Sequence, residues 1–304
     1  IAIIKPSAFG DIVQALPLLS ILRDRFSRAE ISWVIDHRLA PLVADHPDLA
    51  EWIGYDRSGG WRQWRQLLNQ LAQRRFDLVF DLQGLLRSGL MTLATRAPVR
   101  VGLETAREGS HFACHGLLQD SGRFVPAHRR YWRVAEFLGL GNRRAEVTIP
   151  ILPKDRDWAD QVLRKLGGHV VAIHAGARWE TKRWPDEHFA AVAAHAIGKH
   201  HVAIVLVGSS EEEQPTARLE NRITGLAPEA RVLNLAGQTT LKQLAALLSS
   251  VSTLVTNDSG PMHLAAGLGT PVVGLFTCTS PDRSGPPPGR HALIQADVAC
   301  AASY

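Results

Sequence analysis

IAIIKPSAFGDIVQALP, Ile1 to Pro17, changes secondary structure within a few residues. The apolar run at its start reads as a buried strand, Ile1–Lys5. From Asp11 to Phe26 the residues Ile12, Ala15, Leu16, Leu19 and Leu22 share one helical face. Gly10, in the loop between, permits a tight turn and the close approach of a ligand. Strand, tight loop and amphipathic helix form the opening unit of a parallel α/β fold. Asp11 sits at the join, and two readings of it are open. An aspartate near a helix start is favoured by capping and by the helix dipole. A carboxylate beyond a strand's carboxyl end is also where a general base would take a proton from a bound hydroxyl.

The pattern repeats along the chain. Further strand candidates in the first half are Ile31–Ile35, Asp77–Asp81 and Val99–Leu103, with helical patterns at Trp61–Arg75 and His128–Leu138. A second series comes after a segment containing Pro150 and Pro153. Its strand candidates are Val170–His174, Val202–Val207, Val232–Leu235, Thr253–Thr256 and Pro271–Phe276. Its helices are expected at Pro185–Lys199, Glu211–Gly225, Leu241–Ser250 and Pro261–Leu268. The uniformly apolar strands predict sheets covered on both faces. The chain therefore reads as two doubly wound α/β domains, 1–152 and 153–304. Such sheets bind ligands beyond the carboxyl ends of their strands, so the loops after the strands carry the chemistry.

Composition narrows the class. The chain has 304 residues, 45% of them apolar, enough for two well-filled cores. No apolar run approaches the ~18 residues of a spanning helix. Ile1–Ile4 is too short for a signal peptide, and the charge of Asp11 breaks the apolar pattern soon after it. Cys114, Cys278 and Cys300 are odd in number and far apart, which argues against a disulfide framework and for a reducing compartment. The 13 histidines form no H-E-x-x-H and no C-x-x-C occurs, so no metal is expected. The net charge of +5 points to an anionic partner: a nucleotide, a phosphorylated lipid surface or nucleic acid.

Three loops of the second half stand out. HAGARWETKRWP, His174 to Pro185, gathers Arg178, Lys182 and Arg183 ahead of a helix, and suits a diphosphate as well as a solvated basic loop. TNDSGPMHLAAG, Thr256 to Gly267, brings the cap formers Asn257, Asp258 and Ser259 to a helix start. There Gly260 allows amides to face a phosphate, and His263 lies about one turn in. GSSEEEQ, Gly208 to Gln214, offers acids for ribose hydroxyls or for a helix dipole. In the first half Arg62, Arg65, Arg87, Arg107, His128, Arg129 and Arg130 supply cations for an anionic acceptor. The first loop lacks G-x-G-x-x-G, which argues against a dinucleotide-dependent oxidoreductase.

Taken in order, KPSAFGDIVQALP, FDLVFDLQGLLRSGL, GLETAREGSHF, HAGARWETKRWPDEHF, VGSSEEE and TNDSGPMHLAAGLGTPVVGLF resemble the ADP-heptose:lipopolysaccharide heptosyltransferases of glycosyltransferase family 9, heptosyltransferase I most of all. The resemblance spans nearly the whole chain. It implies a GT-B fold, with two Rossmann-like domains facing across a cleft, the first binding acceptor and the second the nucleotide sugar. It implies an inverting transfer of heptose from ADP-heptose to a Kdo–lipid A type acceptor, with no metal, no cofactor and no nucleic acid. It places the reaction in the cytoplasm, peripherally at the anionic inner face of the inner membrane. Within it Asp11 matches the general base and Lys182 the diphosphate-contacting lysine. Gly10, Arg178, Glu212, Asp258, Ser259, Gly260 and His263 fall to the donor. Arg62, Arg65, Arg87, Arg107 and His128 fall to the acceptor. His174-Ala175-Gly176 stands where the family more often has N-P-G or H-P-G. A different nucleotide sugar or a protein acceptor is the alternative within the family.

Overall fold

The computed structural model describes residues 1–119, 125–141, 146–298 and 301. The chain divides into two compact units, Ile1–Pro150 and Ile151–Tyr304.

In the first unit the strands are β1 (Ala2–Ile4), β2 (Ser32–Asp36), β3 (Glu51–Tyr55), β4 (Leu78–Asp81), β5 (Val99–Leu103) and β6 (Gly116–Leu118). They form one parallel sheet in the order β3-β2-β1-β4-β5-β6. The helices are α1 (Phe9–Ala15), α2 (Pro17–Arg25), α3 (Gly60–Gln73), α4 (Leu86–Ala94) and α5 (Ala127–Phe137). The single helix expected from Asp11 to Phe26 is in fact two. Pro17 has no amide hydrogen to continue the ladder and instead opens α2 as its first residue. The helices α3 and α4 bury Leu67, Leu71 and Met91 with Ile4, Val34 and Val79 of the sheet, while α5 packs on α1 and α2.

The second unit repeats the plan. Its strands are β7 (Val170–His174), β8 (Ala203–Leu206), β9 (Val232–Asn234), β10 (Thr253–Asn257), β11 (Val272–Phe276) and β12 (His291–Gln295). Their order is β12-β11-β10-β7-β8-β9, again all parallel. The helices are α6 (Pro153–Leu166), α7 (Asp186–His200), α8 (Glu213–Leu226), α9 (Leu241–Ser250), α10 (Gly260–Gly267) and the single turn α11 (Pro281–Ser284). Phe189, Ile197, Leu219 and Ile223 of α7 and α8 close one core against Ile173, Ile204 and Leu206.

Numbered within its own unit, each sheet runs 3-2-1-4-5-6, the order of dinucleotide-binding folds. The direction of winding reverses between β1 and β4 in one sheet and between β7 and β10 in the other. A crevice opens there, beyond the strand ends, because the crossovers leave to opposite sides. No helix among the described residues is long and apolar enough to cross a membrane. Cys114 and Cys278 are free thiols, and Cys300 lies outside the described residues.

Candidate active site

At the switch point of the second unit, β7 and β10 lie side by side with Thr256 opposite His174. The chain beyond β7 turns through Ala175–Trp179 into a 3-10 turn, Glu180–Lys182. Asn257 pins this loop from the end of β10. Its Nδ2 donates to the Ala175 carbonyl at 2.6 Å, and its Oδ1 accepts the Trp184 amide at 3.0 Å. The loop in turn delivers Lys182, whose Nζ donates to Asp258 Oδ2 at 2.7 Å. Asp258 is 6% exposed and also accepts the Thr279 hydroxyl at 2.7 Å. A buried carboxylate needs such partners to remain charged.

Asn257 and Asp258 therefore do not cap α10. Tertiary bonds occupy their side chains, and Ser259 takes the N-cap position. The Ser259 hydroxyl turns away from the helix as well, to His174 Nδ1 at 3.2 Å and Thr256 Oγ1 at 3.1 Å. The first amides of α10 are thus left without a side-chain cap from Ser259, and Gly260 and Pro261 open the helix. Such a helix start attracts an anion through its amides and its dipole. His263 is buried on the first turn.

His174 links this helix start to the loop after β8. It is buried, and its Nε2 lies 3.5 Å from Glu212 Oε2. Its Nδ1 meets the Thr256 and Ser259 hydroxyls at 3.3 and 3.2 Å, so the ring bridges the helix start and the Glu212 carboxylate. Glu212 ends a 3-10 turn, Ser210–Glu212, and accepts the Ser209 amide at 2.8 Å and the Ser209 hydroxyl at 2.9 Å. Burial works against its charge. The His174 ring and the Ser209 bonds prevail, holding the carboxyl down at about 2. Glu211 and Glu213 are exposed, so Glu212 is the acid of the three that folds back over β7. A methyl group at Gly176 would overlap the Glu212 carboxylate, so the loop at that position must be glycine for Glu212 to lie where it does.

The switch point of the first unit is built from charge. Asp11 is the third residue of α1, and its Oδ2 accepts the Ala8 amide at 3.2 Å and Lys5 Nζ at 3.4 Å. Lys5 is 4% exposed and lies 5.6 Å from the centre of the Tyr131 ring, whereas the Asp11 side chain is 37% exposed. The Ser7 amide donates to Gln83 Oε1 at 3.2 Å, tying the loop after β1 to the loop after β4. Asp81 anchors that second loop. Burial pushes its carboxyl up, against bonds from the Gly84 amide, the Ser88 hydroxyl and the Gln83 amide and against the charge of Lys5. Arg107 lies close by, its amide donating to the Gly84 carbonyl at 2.7 Å.

The structure thus gathers Lys182, Glu212, Asp258, Ser259 and Gly260 at one switch point, and Gly10 and Asp11 at the other. Arg178 stands apart as an exposed residue 5.3 Å from the Trp179 ring. Arg62 and Arg65 are exposed on α3, and Arg87 bonds the Tyr55 hydroxyl. His128 is 5% exposed and packs on Trp132 one turn along α5, with ring centres 4.8 Å apart, so it lies in the interior rather than among the exposed arginines. Sequence reasoning missed His174, Asn257 and Thr279 as site residues because each acts through a partner distant in the chain; it missed Lys5, near Asp11 in the sequence, because it reads as the end of an apolar strand. Among the described residues no cluster of three or more His, Cys, Asp or Glu could hold a metal ion.

Residues 64–303 match the model of glycosyltransferase family 9 (heptosyltransferase). The chain belongs to this family. It is 28% identical, over 94% of its length and 81% of the relative's, to the lipopolysaccharide core heptosyltransferase OpsX of Haemophilus influenzae. It is 26% identical to lipopolysaccharide heptosyltransferase 1 of Pseudomonas aeruginosa, covering 99% of this chain and 85% of that one. The Escherichia coli ADP-heptose heptosyltransferase II structure superposes with a TM-score of 0.81 at 25% identity, over 98% of this chain and 91% of that one. The two Rossmann-like units are those of a GT-B glycosyltransferase.

Proposed function

We propose that this family 9 enzyme transfers heptose from ADP-heptose to a Kdo–lipid A type acceptor of the lipopolysaccharide inner core, with inversion and without a metal ion. The supporting observation is the second unit's switch point, where an ammonium, an uncapped helix start and an ionised glutamate converge. Lys182 and the α10 amides suit the diphosphate, and Glu212 suits the ribose hydroxyls. Gly10 and Asp258 belong to the same donor reading, as do Ser259, Gly260, His263 and Arg178. The first heptose addition is favoured over later ones by the resemblance of the N-terminal half.

The acceptor falls to the first unit. As the acceptor hydroxyl oxygen attacks the anomeric carbon, Asp11 takes its proton. The bond from that carbon to the β-phosphate oxygen breaks, and ADP leaves from the opposite face. Negative charge grows on the β-phosphate, where Lys182 and α10 stabilise it. Each such donor supplies roughly 3 kcal/mol, about a hundredfold in rate. Arg62, Arg65, Arg87 and Arg107 are the cations proposed for the acceptor's acidic groups. Such an acceptor places the reaction at the inner face of the inner membrane.

The experiment is a turnover assay that crosses ADP-heptose and other nucleotide sugars against Kdo–lipid A and hydroxyl-bearing protein acceptors. ADP release only with ADP-heptose and the Kdo-containing acceptor is the expected result. Turnover with another sugar or a protein acceptor instead overturns it.

A further inference from the structure

The helix α4 is apolar on two sides. Its inner face, with Met91 and Ala94, joins the core of the first unit. Its outer face carries Leu86, Leu90 and Leu93, which are 52%, 42% and 47% exposed. Spacings of four and three residues align them in one stripe. A helix that is apolar all round normally lies in a core, yet this stripe faces water. Phe112 extends it: the turn that carries it crosses α4 at Gly89, and its ring is 82% exposed. Trp61, at the start of the neighbouring α3, is 72% exposed.

Cations outnumber acids around this apolar surface. Neither α3 nor α4 contains an aspartate or glutamate, and none occurs anywhere in 57–76 or 82–103. Arg62, Arg65, Arg87 and Arg96 lie on these helices or at their ends. Glu108, which accepts the Leu86 amide, and Asp56, before α3, are the nearby acids. On a larger scale, 20 of the 34 Lys and Arg and 15 of the 29 Asp and Glu belong to Ile1–Pro150. That unit thus carries the whole formal +5, and the second carries none.

We infer that the α3–α4 face of the first unit docks on an anionic lipid bilayer. The leucines and Phe112 enter the interface while the arginines meet acidic headgroups. A two-fold contact between copies of this face would instead set arginines against arginines. The inference deepens the proposed function and rests on its lipid-linked acceptor. Docking by this face brings to the bilayer the unit that holds Asp11.

The test is flotation of the full chain with phosphatidylglycerol-rich vesicles and with phosphatidylcholine vesicles, in the absence of donor. Wild type should bind the anionic vesicles roughly tenfold more tightly than the neutral ones, and weaken as salt rises. A triple variant, Leu90→Gln, Leu93→Gln, Phe112→Ser, should lose about tenfold in binding while transferring to a water-soluble acceptor at the wild-type rate. Arg96→Gln should cost about fivefold on anionic vesicles only. Equal binding to both vesicle types, or a triple variant that binds as wild type does, overturns the inference. So does a wild-type dimer that the triple variant splits, which would make the face a contact between copies. Failure of wild type to turn over the soluble acceptor strikes at the proposed function instead and leaves the vesicle result standing.

Discussion

Lys182→Met separates two roles that the structure superimposes. Lys182 is the partner of the buried Asp258 at 2.7 Å, and it is also the ammonium proposed for the departing diphosphate. Removing it strands a carboxylate that is 6% exposed, with the Thr279 hydroxyl still bonded to it. A fully buried pair broken in this way costs ~3–5 kcal/mol. Here the lysine side chain is 21% exposed and Thr279 remains, so about 2 kcal/mol is expected, a fall of roughly 4–8 °C in Tm for a unit of this size. Loss of the diphosphate contact costs a further ~3 kcal/mol in the transition state, near a hundredfold in kcat. The two effects part in a double-mutant cycle with Asp258→Asn. Neutralising Asp258 removes the stranded charge, so Lys182→Met in that background should cost little Tm but still about a hundredfold in kcat. Tm by calorimetry and kcat by ADP release give the two readouts. If Lys182→Met costs no turnover once Asp258 is neutral, the lysine serves only as a counter-ion, and the catalytic reasoning fails.

Asp11→Asn keeps an acceptor for the Ala8 amide but removes the base. It should lower kcat by about 10²–10⁴ with unchanged calorimetric affinity for the donor, and near-normal turnover would contradict the base assignment. Glu212 titrates at about 2 in the folded chain, against an ordinary 4.5. A depressed carboxyl stabilises above its unfolded value and loses that stability as pH falls. Wild type should therefore lose about 2 kcal/mol between pH ~5 and ~2 that Glu212→Gln does not, measured by denaturant titration at each pH. Arg62→Gln with Arg65→Gln should raise acceptor KM severalfold, leaving donor affinity intact; an unchanged acceptor KM would remove both arginines from the acceptor site.

The interior of both sheets was legible in the sequence, and of their four edge strands only β9 was. β1, β4, β7, β8 and β10 read as apolar runs because helices cover both of their faces. β3, β6 and β12 were missed: each has one neighbour and exposes part of its length, as in Glu51–Tyr55, where only Ile53 and Tyr55 are buried. α6 was missed because Pro153 looked like part of a linker, whereas it occupies the first helical turn. In the site, loops at the ends of strands announced Asp11, Lys182 and Asp258. The partners that hold them did not announce themselves. Thr279 reaches Asp258 and His174 reaches Glu212 only after neighbouring strands have been laid side by side, and no local spacing encodes those meetings.

The uneven division of charge has a kinetic consequence. A molecule whose net charge lies entirely in one half is a dipole as well as a cation. In the field of an anionic surface it experiences a torque before it makes any contact, and the basic unit leads the approach. Encounters would then begin with the basic unit already turned toward the surface, while the second unit's zero net charge adds no long-range repulsion against a small anionic nucleotide sugar. Raising the ionic strength shortens the reach of that torque, so it should slow productive arrival at the surface well before it affects the donor.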